Sequence, residues 1–149
     1  ERDGFTNGLN YSEIDMTLDG GLGSITVKNV TLLDVCSEKI TAVLKDCITE
    51  AIWVVTFASE DGTTGIFNTF HAFEVTNLGV NTTSVKSTLT SNITEGRGYL
   101  KLSPDGTKVA SASVGVRFNR AVAVASPEAD RRGVEHKLDC VKRLNLWLR

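Results

Sequence analysis

Apolar and polar residues trade places at every second position along short runs of this chain, and Gly, Asn and Asp break the runs. That is the punctuation of an antiparallel all-β protein. Residues 11–18 and 24–33 read as the first two strands, separated by Asp19-Gly20-Gly21-Leu22-Gly23, which offers several positions able to take a positive φ. Residues 39–44 read as a third strand, with Ile40, Ala42 and Leu44 on one face and Thr41 and Val43 on the other. Ile52-Trp53-Val54-Val55-Thr56-Phe57 is apolar on both faces, which predicts a strand held between packed sheets. Glu60-Asp61-Gly62-Thr63-Thr64-Gly65 then marks a turn. Residues 67–76 alternate again, with Phe67, Thr69, His71, Phe73 and Val75 on one side. Asn77-Leu78-Gly79-Val80-Asn81 turns the chain, and residues 83–91 read as a polar edge strand.

The sharpest local signal is Gly98-Tyr99-Leu100-Lys101-Leu102-Ser103-Pro104-Asp105-Gly106-Thr107-Lys108-Val109-Ala110. Pro104 presets φ at the first central position of a type I turn, and Gly106 supplies the left-handed residue that closes such a hairpin with a bulge. Residues 116–124 read as the start of a further strand. Strand follows strand at about 10–15 residues each with no intervening helix, the range of sandwiches, barrels and propellers. The pattern changes at Ser126-Pro127-Glu128-Ala129-Asp130, which combines a hydroxyl N-cap, Pro at the first helical position and acids in the first turn. Val134, Leu138, Val141, Leu144 and Leu148 then share one stripe, so a C-terminal amphipathic helix is expected. The chain divides into an all-β region, 1–125, and a helical tail, 126–149, whose pattern is foreign to the strands.

A chain of 149 residues buries one good core. A formal net charge of −2 excludes a nucleic-acid binder that works through a broad basic face. Hydrophobic content of 41% excludes disorder, and no apolar run approaches the roughly 20 residues of a membrane-spanning helix. Cys36, Cys47 and Cys140 are odd in number and lack CxxC spacing, which signals isolated, semi-buried thiols and neither a zinc site nor a disulfide framework. Glu1 opens directly into loop-like sequence, as in a piece cut from a longer protein.

Among the residues able to do chemistry, Asp15, Asp19 and Asp105 are the carboxylates to weigh for a cation, yet no DxDxDG loop occurs. Asp19 and Asp105 each precede Gly in a turn, where bonding to local backbone is the expected role. Asp15, in an alternating strand, is open to facing a channel. His71 lies between Phe70 and Phe73, and neither Ser103 nor Ser113 sits in a nucleophile elbow, so a semi-buried, hydrogen-bonded histidine is expected. Trp53 and Phe57 read as packing residues. Sequons beginning at Asn10, Asn29, Asn81 and Asn92 carry little meaning in a chain this rich in Thr. Arg131, Arg132, Lys137, Lys142 and Arg143 are interleaved with acids, as on a solvated helix face, and His136 lies there too. No catalytic residue, metal ligand or cofactor is indicated.

The Ser-Pro-Asp-Gly-Thr-Lys hairpin resembles the repeat hairpin of bacterial β-propellers of the TolB, YVTN and WD40 groups. Four further stretches fall in order with it: Tyr11-Ser12-Glu13-Ile14-Asp15-Met16-Thr17-Leu18-Asp19-Gly20-Gly21-Leu22-Gly23; Glu38-Lys39-Ile40-Thr41-Ala42-Val43; Trp53-Val54-Val55-Thr56; and Phe73-Glu74-Val75-Thr76 with Gly79-Val80-Asn81-Thr82-Thr83. Over residues 9–113 the set resembles the N-terminal propeller of Bacteroidetes surface proteins that are exported by type IX secretion and end in a type B sorting domain, similar to the gliding-motility-associated C-terminal domain. Phe57 stands where that family usually has His, Ser24 where it often has an acid, and the sorting domain is missing from these residues.

The resemblance implies a partial β-propeller of about two to three four-stranded antiparallel blades, since a blade takes roughly 40–50 residues and a closed ring at least about four blades. It implies a secreted or cell-surface protein that is not an enzyme and that presents the loops at 20–23, 60–65 and 79–82 to a protein or polysaccharide. Asp19, Gly21, Asp61, Thr63 and Asn81 are then the candidate binding positions, and the remaining blades of the parent are partners. Competing expectations are a propeller enzyme of the lactonase, lyase or glycosidase kind with its site at the channel mouth, and an incomplete chain with no activity of its own.

Overall fold

A computed structural model describes residues 7–46 and 48–113 in full and the strand 121–125 as backbone. Its strands are β1 (Leu9–Asp15), β2 (Ser24–Leu33), β3 (Cys36–Leu44), β4 (Ile52–Ala58), β5 (Phe67–Thr76), β6 (Gly79–Val80), β7 (Val85–Ile93), β8 (Gly98–Leu102), β9 (Lys108–Ser113) and β10 (Ala121–Ala125). Every pairing is antiparallel, and the only helical element among the described residues is a single 3-10 turn, Asp19–Gly21. The protein is all-β. The amphipathic helix expected beyond Ser126, the boundary at 125, Cys47 and Cys140 lie outside the described residues.

Three sheets form in chain order: β1-β2, then β3-β4-β5 with β6 and β7 both on β5, then β8-β9-β10. The middle sheet is buried on both sides along the inner strands β4 and β5. Across it, Val55↔Ala72 and Phe57↔Phe70 face one way, and Val54↔Phe73 and Thr56↔His71 the other. Val55, Phe57, Phe67 and Phe70 join Leu100 and Val109 of the third sheet in one core, where the Phe57 and Phe70 rings lie 4.6 Å apart. On the opposite side Ala58, Phe73 and Cys36 pack on Leu33 of the first sheet. A continuous apolar run on β4 is what this burial on two faces requires. Fully burying each of these large side chains stabilises the fold by about 1.5–3 kcal/mol.

Expected and observed boundaries coincide for β2 and β5. Elsewhere the chain departs from its pattern for identifiable reasons. The first strand ends at Asp15 and not at residue 18, because the Asp15 carboxylate accepts from the Thr17 amide (2.8 Å) and hydroxyl (2.7 Å) and turns the backbone. Phe67 does not share the face of His71 and Phe73. A register shift between Phe67 and Thr69 swings its ring toward Phe57 and into the other core. On β3 the alternation holds but the apolar face is turned outward, with Ile40 54% exposed. Its inward face carries Lys39, only 1% exposed, whose Nζ donates to Ser113 Oγ (2.6 Å) and lies 5.5 Å from the Phe57 ring centroid. Burial pushes the Lys39 pKa down, and the charge of Glu95 partly opposes this. The polar strand is β7, starting two residues later than expected and pairing with β5 alone. Residues 121–125 pair with β9, so at least these continue the β-pattern.

Candidate functional site

A serine, a free position, then Asp-Gly-Thr occurs twice in the chain: Ser59-Glu60-Asp61-Gly62-Thr63 between β4 and β5, and Ser103-Pro104-Asp105-Gly106-Thr107 between β8 and β9. Only the second stands out as a hairpin in the sequence, because Pro104 presets its turn; the first reads as a plain turn cluster. Both fold alike. In each, the Gly amide donates to the Ser carbonyl (3.1 Å at Gly62, 2.8 Å at Gly106), Gly takes a left-handed φ (71° and 69°), the Ser hydroxyl donates to the Asp Oδ1, and the Thr amide donates to the same oxygen (3.1 and 3.0 Å). These hydrogen bonds hold each carboxyl at about 2, well below its usual 3.8, the hydroxyl of Thr63 leading at Asp61 and that of Ser103 at Asp105.

Ser59 is the more deeply tied of the two. Its hydroxyl accepts from the Thr63 amide (3.1 Å) besides that of Thr64 (3.2 Å), whereas Ser103 Oγ accepts from the Lys108 amide, and the Gly62 carbonyl accepts from the Val35 amide (2.7 Å) at the β2–β3 junction. The Ser59 carbonyl accepts a hydrogen bond from His71 Nε2 (2.8 Å). A carbonyl has no proton to give, so Nε2 carries the imidazole hydrogen and Nδ1 accepts from the Ser84 hydroxyl (2.9 Å). His71 is 1% exposed, and burial above all pushes its pKa below the ordinary 6.5, with the Ser59 carbonyl and Asp61 opposing and Lys86 adding to the shift. Lys86 reaches back to the Glu60 carbonyl (2.7 Å). The histidine is thus more buried than its sequence setting suggests, and its hydroxyl partner is Ser84 rather than Ser103 or Ser113. Phe57, fully buried, presents nothing to a ligand, while half-buried Trp53 lies 5.2 Å under the Lys45 ammonium, which pairs with Glu74.

The five candidate binding positions divide between two ends of the sheets. Asp19 and Gly21 are exposed in the 3-10 turn beyond Asp15. Asn81 is exposed just after β6, where its amide donates to the Glu74 carbonyl and its Oδ1 accepts from the Thr83 amide. Glu13 Oε1 lies beside Gly79, which brings these two loops to one end. Asp61 and Thr63 sit at the other, where Gly62 meets the Leu33 side chain at the far end of β2. Asp105 behaves as a turn-forming carboxylate; Asp19 does not, for its carboxylate has no hydrogen-bond partner among the described residues. No group of three or more His, Cys, Asp or Glu side chains able to hold a metal ion occurs among the described residues, and no helix there is long and apolar enough to cross a membrane. Cys36 is buried and free, its thiol pKa pushed up by that burial.

Comparison with protein-family models, with curated proteins and with solved structures returns no match.

Proposed function

We propose that this chain is a stretch of β-propeller from a secreted or cell-surface protein, and that it works by display rather than by catalysis. One observation carries the reading: β3-β4-β5-β7 is a four-stranded antiparallel meander whose inner strands pack on one side against the sheet that precedes it in the chain and on the other against the sheet that follows. Sheets stacked in chain order through large apolar side chains are what a blade repeat needs. In that arrangement β1-β2 belongs to one blade, β3 to β7 make a whole one, and β8-β9-β10 begin a third. The exposed loops carrying Asp19, Gly21 and Asn81 at one end, and Asp61 and Thr63 at the other, present carboxylates, amides and hydroxyls suited to a polysaccharide or a polar protein surface.

Among the described residues, the His71–Ser84 contact is the one feature that favours an enzyme. A serine nucleophile needs a histidine reachable by substrate and a partner that stabilises the imidazolium. His71 is sealed and faces a neutral carbonyl, so its role is to hold the Ser59 turn. The test is retention of the chain on immobilised bacterial polysaccharides, alongside turnover of chromogenic glycosides and lactones. Binding weakened by Asp19→Ala or Asn81→Ala at unchanged melting temperature supports display. Turnover that His71→Ala abolishes overturns it.

A further inference from the structure

Three Asp-Gly pairs occur in the described strands and turns: Asp19-Gly20, Asp61-Gly62 and Asp105-Gly106. An Asp-Gly bond can rearrange when the glycine amide nitrogen attacks the aspartate Cγ. The new N–Cγ bond forms as the carboxyl hydroxyl departs, and the amide proton leaves with it as water. The five-membered imide then takes up water at either carbonyl. Opening at one restores aspartate; opening at the other leaves isoaspartate, with the main chain routed through the side-chain carbonyl. The carboxyl must be in its acid form for hydroxide-equivalent loss, its oxygens must be free to leave, and the amide must be free to turn.

Two of the three pairs are barred on each count. The Asp61 and Asp105 carboxylates each accept a Ser hydroxyl and a Thr amide, and the Gly62 and Gly106 amides are committed to the Ser59 and Ser103 carbonyls. With the carboxyl held at about 2 in place of 3.8, the reactive acid form is scarcer at neutral pH by roughly 60-fold.

Asp19 differs on the points that matter. Its carboxylate is exposed and accepts no hydrogen bond among the described residues, and its own φ of 50° puts a non-glycine residue in the left-handed region. The Gly20 amide, the attacking nitrogen, donates to no acceptor among the described residues, whereas the Gly21 and Leu22 amides beside it donate to the Leu18 and Asp19 carbonyls. We propose that Asp19-Gly20 is a site of spontaneous covalent modification, converting to isoaspartate in the folded protein while the two Ser-x-Asp-Gly-Thr turns are protected by their own hydrogen bonds. The change adds a backbone methylene and moves a negative charge in an exposed loop, and it stands whether or not that loop binds a partner.

Incubation of the folded chain at neutral pH and 37 °C, followed by an isoaspartyl methyltransferase label and mapping with a Glu-specific protease, whose cut after Glu13 parts Asp19 from Asp3-Gly4 and Asn7-Gly8, tests this. Label in the peptide holding Asp19 should exceed that at Asp61 or Asp105 by on the order of tenfold or more. A urea-unfolded sample, freed of the turns, should label at all three. Asp19→Glu, which would need a six-membered ring, should silence its peptide without shifting the melting temperature. Asn7-Gly8 loses ammonia and changes mass, so it is read separately. Absence of label at Asp19 in the folded chain overturns the proposal, as does label at Asp61 or Asp105 to the same extent.

Discussion

The two Ser-x-Asp-Gly-Thr turns share local geometry down to the φ of their glycines, yet they are embedded differently. The turn at Ser103 is held by its own hairpin: Ser103 and Lys108 exchange backbone and hydroxyl hydrogen bonds, and Asp105 and Gly106 complete the loop. The turn at Ser59 makes the same local bonds and then adds Val35, His71, Lys86 and the Leu33 side chain, drawn from the β2–β3 junction, β5, β7 and β2. A five-residue pattern therefore determines the shape of a turn. What the turn does for the fold depends on its neighbours.

The largest separation between them is expected at the glycines. Gly62→Ala adds a carbon 2.5 Å from Leu33 Cδ2 on top of left-handed strain, and should destabilise by about 2–4 kcal/mol. Gly106→Ala carries the left-handed strain, about 1–2 kcal/mol. Urea melts of the two variants compare these directly; equal losses would mean that the contact with Leu33 carries no weight.

Removing the histidine comes next. His71→Leu removes one of the two donors to the Ser59 carbonyl, the Gly62 amide remaining, and takes the acceptor from the Ser84 hydroxyl, at a cost of about 1–3 kcal/mol. Amide exchange should quicken at Gly62, Thr63 and Thr64 and stay unchanged at Gly106 and Thr107. Uniform quickening would indicate global loosening instead.

Acid should separate the turns by window. The folded pKa of His71 is depressed, so the unfolded chain binds the proton more readily; that stabilisation is present above about 6.5 and drains away as pH falls toward the folded pKa. Asp61 and Asp105 are depressed too, and theirs is present above 3.8 and drains as pH falls to about 2. Stability should thus decline in two steps on acidification. His71→Leu should flatten the upper step, and Asp61→Asn with Asp105→Asn should reduce the lower, to which the depressed Asp15 and Asp46 also contribute; an upper step that survives His71→Leu belongs to another group.

The smallest effect is at the serines. Ser59→Ala removes a hydroxyl that serves Asp61, Thr63 and Thr64, and should cost about 1–2 kcal/mol, against about 1 kcal/mol for Ser103→Ala. Thermal melting ranks the pair.

Strand periodicity made the spans of β2 and β5 legible, and the apolar run of β4 announced its burial on two faces. Proline marked the Ser103 turn. The Ser59 turn passed as generic punctuation, although its Ser, Asp, Gly and Thr repeat the later motif at the same spacing; comparing the chain with itself residue by residue would have found it. Lys39 escaped because a lysine at the start of a strand looks solvated, and nothing local says that the inward face of β3 meets a sheet formed some sixty residues later, where Ser113 waits. Phe67 escaped because a register shift is decided by the partner strand. The five candidate positions were chosen as loops, and loop sequence does not say which end of a sheet it caps.

Lys39 has a mechanical consequence. Apolar faces are tolerant of sliding, since leucine against phenylalanine is nearly as good one notch along. An ammonium sunk among them tolerates none: displaced by one residue, it would trade the Ser113 hydroxyl for hydrocarbon. The lysine acts as a dowel between the second and third sheets, fixing the offset at which they meet and leaving the surrounding grease to supply adhesion.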